Sequence, residues 1–222
     1  MNLMSTLTSI NNKKISCCKA ITNEKNLIYM CEYNSNRIKT VDYNFNEIKI
    51  KFKMLKKNKL RNINHQEHLF YPFDLCYSSG GFIYICDLRN KILKFKENIH
   101  ERCLEFVTDC QVSFQIRQMA INTNCLCLNS INCNKMYFLN LHTFDVIMFY
   151  ESSGGPICEL DSYFFEFSGN YGEMLTCYDA NGMFLDIFYK RFSNMMLNNN
   201  VCMRRFFDKI LISTSCGKLI TI

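Results

Sequence analysis

Three kinds of residue in this sequence could carry chemistry: cysteines, carboxylates and a concentrated run of basic side chains. The chain has 14 cysteines, but no two of them form a Cys-x-x-Cys pair, and Cys125 and Cys127 lack the histidine partners of a zinc site. His65 and His68 lie in an HQEH stretch without the i, i+4 spacing of a helical zinc protease. The sequence therefore predicts no metal site and no cofactor.

Carboxylates are the second candidate, because paired acids at the mouth of a channel can catalyse hydrolysis. In the segments that we predict to be innermost strands, only Asp74 and Glu159 are acidic, and basic residues outnumber them. A glycosidase-like or lactonase-like hydrolase using these two residues is therefore the alternative interpretation. A non-catalytic role is favoured, and no catalytic residue is assigned.

The basic side chains are concentrated in residues 49–61, KIKFKMLKKNKLR, which hold seven of the 26 basic residues and no acid. The rest of the chain has 19 basic and 20 acidic residues, so this segment accounts for the net charge of +6. Lysine alternates with apolar residues from Lys49 to Met54, which predicts an outer strand with one face in solvent. From Lys56 onward we expect an extended loop to the next repeat.

Short β-strands must position all of these residues. Runs rich in Ile, Tyr, Phe, Val and Thr recur between Asn, Gly, Asp and Ser, whereas the helical spacing of apolar residues is rare. No apolar run approaches the roughly 18 residues of a membrane-spanning helix, and the N-terminus does not resemble a secretory signal. These features predict an all-β, cytoplasmic protein with a single domain over residues 1–222.

One structural unit is present in five copies, each consisting of an apolar strand, a polar turn and a second apolar strand. The steps between copies are 55, 43, 38 and 46 residues, close to the roughly 40–50 residues of a four-stranded propeller blade. The last copy ends after its third strand, and we expect Leu3–Ile10 to pair with it and close the ring. The tyrosine and cysteine of the repeated apolar run are expected to pack between blades, at Tyr29, Tyr84, Cys31 and Cys86.

The unit resembles the NHL repeat. Pro72–Leu75 (PFDL), followed by FIYICD and NKI, matches it best, and Leu27–Ile38 (LIYMCEYNSNRI) matches it next. The resemblance implies a β-propeller, and since NHL propellers commonly have six blades, the prediction is a propeller of about five, or six, four-stranded blades. It also implies that RNA binding through a basic top face is feasible, because some NHL propellers bind RNA in this way.

The predicted binding surface combines the basic run with residues from the turns. The residue that begins the third strand is basic in four of five units, forming a broken positive ring, unless these side chains only cover apolar surface with their stems. The hypothesis is recognition of an acidic protein partner, or of RNA with aromatic stacking, by a monomer. A protein partner is favoured over RNA. The predicted binding residues are Arg37, Lys56, Lys57, Lys59, Arg61, Lys91, Lys135, Lys218, Tyr33 and Tyr71.

Overall fold

In a computed structural model of the chain, every regular element of the described residues is a β-strand, which confirms the all-β prediction. The structure describes residues 9–10, 13–14, 18–22, 27–32, 37–42, 44, 46–56, 59–63, 71–130, 132–152, 154–168, 174–189, 202–206, 209–213 and 219–221. Within these ranges, no helix has the length and apolar character that crossing a bilayer would require.

The fold divides into two compact units, Met1–Ser113 and Phe114–Ile222. The single-domain organisation stays a prediction. The described strands of the first unit are β1 (Ser9–Ile10), β2 (Lys13–Lys14), β3 (Cys18–Thr22), β4 (Leu27–Glu32), β5 (Arg37–Asp42), β6 (Lys51–Lys56), β7 (Lys59–Ile63), β8 (Pro72–Ser78), β9 (Phe82–Asp87), β10 (Lys91–Asn98) and β11 (Cys103–Gln111).

The first unit contains a three-stranded meander, β3-β4-β5, and a six-stranded sheet in the order β7-β6-β11-β10-β9-β8. Strands β8 to β11 are consecutive and antiparallel, as the second sequence repeat predicts. Their apolar faces pack on the first meander, because residues alternating along each strand share one face. The cluster between the two sheets contains Tyr29, Cys31, Ile38, Ile50, Phe52, Leu75, Ile83, Ile85, Leu93, Phe95 and Leu104.

The second unit contains two four-stranded antiparallel meanders, β12-β13-β14-β15 and β16-β17-β18-β19, and a three-stranded meander, β20-β21-β22. These match the third, fourth and fifth sequence repeats. The strands are β12 (Ile116–Ile121), β13 (Cys125–Ser130), β14 (Lys135–Asn140), β15 (Val146–Glu151), β16 (Ile157–Leu160), β17 (Tyr163–Ser168), β18 (Met174–Tyr178), β19 (Phe184–Tyr189), β20 (Cys202–Phe206), β21 (Lys209–Ser213) and β22 (Leu219–Thr221).

Apolar clusters join consecutive sheets of the second unit. Phe138 of β14 contacts Phe164 of β17 and Tyr178 of β18, with ring centroids 5.4 and 5.5 Å apart. Met203 of β20 packs with Phe167 of β17 in a further cluster. Cysteines contribute to both clusters as small apolar side chains, since the cysteines whose side chains the structure describes are free thiols.

Asparagine and aspartate shape the turn that follows the third strand in four of the five meanders. Asp42, Asn98, Asn140 and Asp179 each accept a hydrogen bond from a backbone N–H two or three residues later, at 2.8–3.2 Å. This is the geometry of an Asx-turn, which substitutes a side-chain oxygen for a backbone carbonyl. In the last of these turns Gly182 has φ +87°, and a Cβ there would lie 2.5 Å from the Phe138 ring.

The chain ends were predicted to pair with each other. Of the N-terminal segment Leu3–Ile10, only Ser9–Ile10 lies within the described residues, where it pairs with Lys13–Lys14 as β1 and β2. Leu3 to Thr8 lie outside the described residues. The last sheet, β20-β21-β22, has three strands among the described residues, so closure by the N-terminus stays a prediction.

Candidate binding surface

The basic segment forms a β-hairpin: its first half is β6, where the sequence predicts a strand, and its second half contains β7, where the sequence predicts a loop. The backbone of Glu47 first bridges Val41 of β5, and the chain then crosses to the neighbouring sheet, where β6 runs parallel to β11. Strand β7 returns antiparallel to β6, with Lys56 opposite Lys59 and Met54 opposite Arg61. We call β6 and β7, Lys51–Ile63, the basic hairpin.

Two physical features explain why β6 pairs with β11. The lysine and apolar residues of β6 alternate with the two-residue period of a strand, and β11 offers an outer edge whose backbone groups need partners. The register places Lys51 opposite Cys103, Phe52 opposite Leu104 and Lys53 opposite Glu105. A loop would leave these backbone groups unpaired, whereas the added strand satisfies them.

Lys53 anchors the hairpin to its sheet. Its Nζ donates to Glu101 and, at 3.3 Å, to Glu105. The hydrogen bond to Glu101, followed by that to Glu105, raises the pKa of Lys53 above its ordinary value, while partial desolvation opposes the shift. The charge of Lys53 is therefore balanced by ion pairs within the molecule, whereas Lys49 and Lys51 are exposed.

The anchor also contains a group that resembles a metal site. One ligand atom each from Glu101, Cys103 and Glu105 lies within 4.8 Å of the others. However, the Lys53 ammonium already supplies the positive charge between the two carboxylates. Burial raises the pKa of the Cys103 thiol, which disfavours the thiolate that a metal requires. The arrangement is that of an ion-pair anchor.

The three described members of the predicted ring each begin the third strand of a meander, as the sequence indicates: Arg37 in β5, Lys91 in β10 and Lys135 in β14. Lys91 pairs with Asp109 at 2.5 Å. Lys135 lies over the Phe149 ring, 4.3 Å from its centroid, and Arg37 is exposed. The charges of Lys91 and Lys135 are thus engaged within their own sheets, so these two residues offer less to an external anion than the sequence suggests.

The other predicted binding residues fall into three groups. Tyr71 is 43% exposed and has φ +74°, in the left-handed region. Lys56, Lys59 and Arg61 lie in the basic hairpin, where the structure describes their backbone positions. Lys57, Lys218 and Tyr33 lie outside the described residues. The backbone register thus brings together the hairpin positions, with Lys56 and Lys59 as direct cross-strand neighbours.

The two carboxylates of the hydrolase alternative, Asp74 and Glu159, lie in different environments. Asp74 is completely buried in β8. Glu159 of β16 accepts the backbone N–H of Ser162 at 2.8 Å, which fixes the turn between β16 and β17. Each is described within its own unit, Asp74 in the first and Glu159 in the second.

Sequence reasoning missed the most deeply embedded polar network, which surrounds Glu166. Glu166 is 2% exposed and accepts hydrogen bonds from the Ser152 hydroxyl and, at 3.4 Å, from the Tyr178 hydroxyl. Ser152 also lies 3.3 Å from Asn129 Oδ1, and the Asn129 amide donates to the Gly155 carbonyl at 2.6 Å. Burial raises the pKa of Glu166, and its hydrogen bonds only partly offset this. The signal in the sequence is that Glu166 lies two residues after Phe164 and therefore shares a strand face with this apolar side chain.

A second polar link in this unit joins the first strands of three consecutive meanders. The Gln118 amide of β12 donates to the Ile157 carbonyl of β16 at 2.9 Å and to the Met203 carbonyl of β20 at 3.2 Å. Its oxygen accepts the Ile157 N–H at 3.2 Å. Gln118 is 3% exposed, so its bonds hold the strands together and leave no polar atom of the amide for a ligand.

Comparison with known proteins supports the fold and no particular activity. No protein-family model matches the sequence, and no curated protein matches it. The chain is similar in structure to a catalytically inactive variant of virginiamycin B lyase from Staphylococcus aureus with quinupristin, with TM-score 0.58 and 11% identity over 96% of this chain and 71% of that chain.

Two further structures are similar. Selenomethionine-substituted virginiamycin B lyase from Staphylococcus aureus gives TM-score 0.57 and 11% identity, over 96% of this chain and 86% of that chain. A streptogramin B lyase structure gives 0.52 and 9%, over 92% and 81%. These neighbours have a β-propeller-like fold, so this part of the prediction is supported by structure. At 9–11% identity the likeness extends to the fold alone.

Proposed function

We propose that this protein is a non-catalytic binding module, and that its basic hairpin binds an acidic segment of a partner protein. The observation that carries the proposal is the hairpin itself, in which the positively charged segment forms the edge of a six-stranded sheet. Lys51 at the start of the hairpin and Lys49 just before it are exposed, and the backbone positions of Lys56 and Lys59 are cross-strand neighbours. Like charges at directly opposite positions of an antiparallel pair are in general destabilising, and an acidic ligand relieves such repulsion.

The edge of the hairpin adds a means of recognition. Strand β7 is the last strand of its sheet among the described residues, so an extended acidic segment can pair with its backbone while its carboxylates meet the lysines. Backbone pairing contributes affinity, and charge contributes selectivity and a fast association rate. No enzymatic step is part of this proposal.

RNA is the competing ligand. Sequence-tolerant RNA surfaces combine cations with several aromatic side chains on which bases stack. Of the ten predicted binding residues, eight are basic and two, Tyr33 and Tyr71, are aromatic. This composition favours an acidic protein segment, and RNA binding is an outcome of the test below.

The test replaces Lys49, Lys51, Lys56, Lys59 and Arg61 by glutamine. The matched control replaces the four lysines by arginine, which retains the charge and the strand propensity. Binding of a fluorescent poly-glutamate peptide and of a single-stranded RNA oligonucleotide is measured by anisotropy at low salt. Loss of several exposed ion pairs should weaken peptide binding by about tenfold or more, while the arginine variant binds normally.

Three results would overturn the proposal. The first is peptide binding that the glutamine variant leaves unchanged. The second is hairpin-dependent binding of RNA without binding of the peptide, which would assign the surface to nucleic acid. The third is no binding of either probe by the unmodified protein at low salt.

We also propose that the meanders are blades of an NHL-like propeller of about five blades, closed by the N-terminal strand. The repeat spacing, the four-stranded meanders β12–β15 and β16–β19, and the propeller-like neighbours support this. Deleting residues 1–10 should sharply lower the melting temperature, because the last meander would lose its fourth strand. An unchanged melting temperature would remove this segment from the ring.

A further inference from the structure

The outer strands of the second unit carry an exposed apolar surface that the basic hairpin does not explain. Val146, Ile147 and Phe149 of β15 are 50, 49 and 53% exposed. The start of β19 adds Met183, Phe184 and Leu185, which are similarly exposed. The Phe184 N–H donates to the Tyr150 hydroxyl at 3.2 Å, so the two strands adjoin here. Clustered apolar side chains of this size mark an interaction site more often than scattered ones do.

The first unit shows what covers such an edge in this protein. Strand β11 holds the same place in its meander as β15, and β6 adds to it in parallel from Cys103 to Glu105. With β6 in place, Cys103 and Leu104 are 1 and 0% exposed, and Phe52 of β6 enters the same core. By contrast, β15 is the last strand of its sheet among the described residues.

The charges of the two edges are also alike. Strand β11 contains Glu105 and Asp109 and no lysine or arginine, and Lys53 of β6 pairs with Glu105. Strand β15 is bounded by Asp145 and Glu151, again with no lysine or arginine between them, and both acids are exposed. An occupant of β15 that complements it therefore needs both apolar and basic side chains in strand alternation.

We propose that the outer edge of β15 binds an extended partner segment in which lysine alternates with apolar residues, added as a parallel strand from Val146 onward. Its apolar side chains cover Val146 and its lysines meet the exposed Asp145 on the other face of the strand, whereas Glu151 already lies opposite Lys135 of β14. This surface consists of other residues than the basic hairpin, and it selects a basic partner segment, whereas the hairpin selects an acidic one. The proposal therefore does not depend on the function proposed above.

The test uses a synthetic peptide with the sequence of residues 48–56, IKIKFKMLK, as the probe. A second peptide with glutamate at each lysine position is the charge control. The protein variant carries Val146→Lys with Ile147→Lys, which makes the edge basic and less apolar. Tyr163→Lys is the matched control, because Tyr163 is also exposed, at 44%, but begins an inner strand. Circular dichroism melts establish that each variant is folded.

We expect the lysine peptide to bind the unmodified protein and the Tyr163→Lys variant equally, and the edge variant at least about tenfold more weakly. The glutamate peptide should not bind at the β15 edge. Hydrogen exchange at the backbone of β15 should slow when the lysine peptide is added. Equal binding by the edge variant, unchanged exchange in β15, or no binding of the lysine peptide would each overturn the proposal. So would a dimer, detected by sedimentation, that the edge variant abolishes, since a second copy would then occupy the edge.

Discussion

Strands β11 and β15 are the outer strands of consecutive repeats, and they differ chiefly in what lies beside them. The first two residues of β11 are essentially inaccessible, at 1 and 0% exposure, whereas the first two of β15 are half exposed, at 50 and 49%. Both strands are acidic and contain no lysine or arginine. The difference is β6, which adds to β11 and has no described counterpart at β15.

This difference shows that burial at an outer strand is not fixed by that strand's own residues. The chain crosses from the first meander and places Phe52 and Lys53 beside the start of β11, where the apolar side chains are part of the core. An added strand contributes both hydrophobic burial and backbone hydrogen bonds. The first unit therefore contains within one chain the type of contact that we propose for β15 with a partner.

The largest expected effect on stability comes from truncating Phe52 at the covered edge, and Phe149 at the exposed edge provides the comparison. Phe52 is 1% exposed and lies edge-on to Phe95, with ring centroids 5.4 Å apart. Phe52→Ala should reduce the free energy of unfolding by roughly 3–5 kcal/mol, because it leaves a cavity in a packed core. Phe149 is 53% exposed, and Phe149→Ala should cost about 1 kcal/mol or less. Urea denaturation measures both.

The pair of variants decides whether the edges differ as described. Comparable losses for Phe52→Ala and Phe149→Ala would mean either that β6 does not cover β11 or that β15 is itself covered. A large loss of unfolding free energy for Phe52→Ala with little change for Phe149→Ala would support the description of β11 as covered and β15 as exposed.

A smaller effect is expected in the pH dependence of the second unit. Burial raises the pKa of Glu166 above the value it has in the unfolded chain. Between those two values the folded state binds more protons, so stability declines as the pH rises through this interval. Glu166→Gln should remove that decline. Denaturation midpoints measured from about pH 4 to 8, the range around a raised carboxyl pKa, test this.

The pKa of Glu105, at the covered edge, is shifted in the opposite direction, so this residue serves as the control for the pH dependence of stability. Hydrogen bonds from Asn98 and then Lys53 hold its pKa below the ordinary value. Its contribution is present above the unfolded pKa and is lost as the pH falls through the lowered folded value. Glu105→Gln should therefore flatten only the acidic side of the profile. Identical pH profiles for the two variants would contradict these assignments.

Much of the fold follows from local patterns in the sequence. The apolar runs and the turns after them predict the second and third strands of each meander, and β4, β9, β13, β17 and β21 lie where the repeat places them. Tyr29 and Cys31 pack between the first two sheets, as expected of a residue pair repeated for packing. The Asx-turns also leave a local signal, an aspartate or asparagine at or just after the end of the third strand.

The features that were missed depend on contacts distant in the sequence. Alternation identifies β6 as a strand but cannot specify that it pairs with β11, some 50 residues later, and not with β5. The charges of Lys91 and Lys135 looked available because Asp109 and Phe149 are remote in sequence. Glu166 breaks an apolar pattern, and only the tertiary structure supplies its partners Ser152 and Tyr178.

Hydrogen exchange of the backbone amides tests the central comparison most directly. The Lys51 N–H donates to the Arg102 carbonyl at 3.0 Å, so this amide and those paired within the basic hairpin should exchange slowly. They should also lose protection together with β11 on mild destabilisation, as parts of one cooperative unit do. Rapid exchange throughout residues 51–63, with β11 still protected, would show that β6 does not cover this edge and would contradict the account.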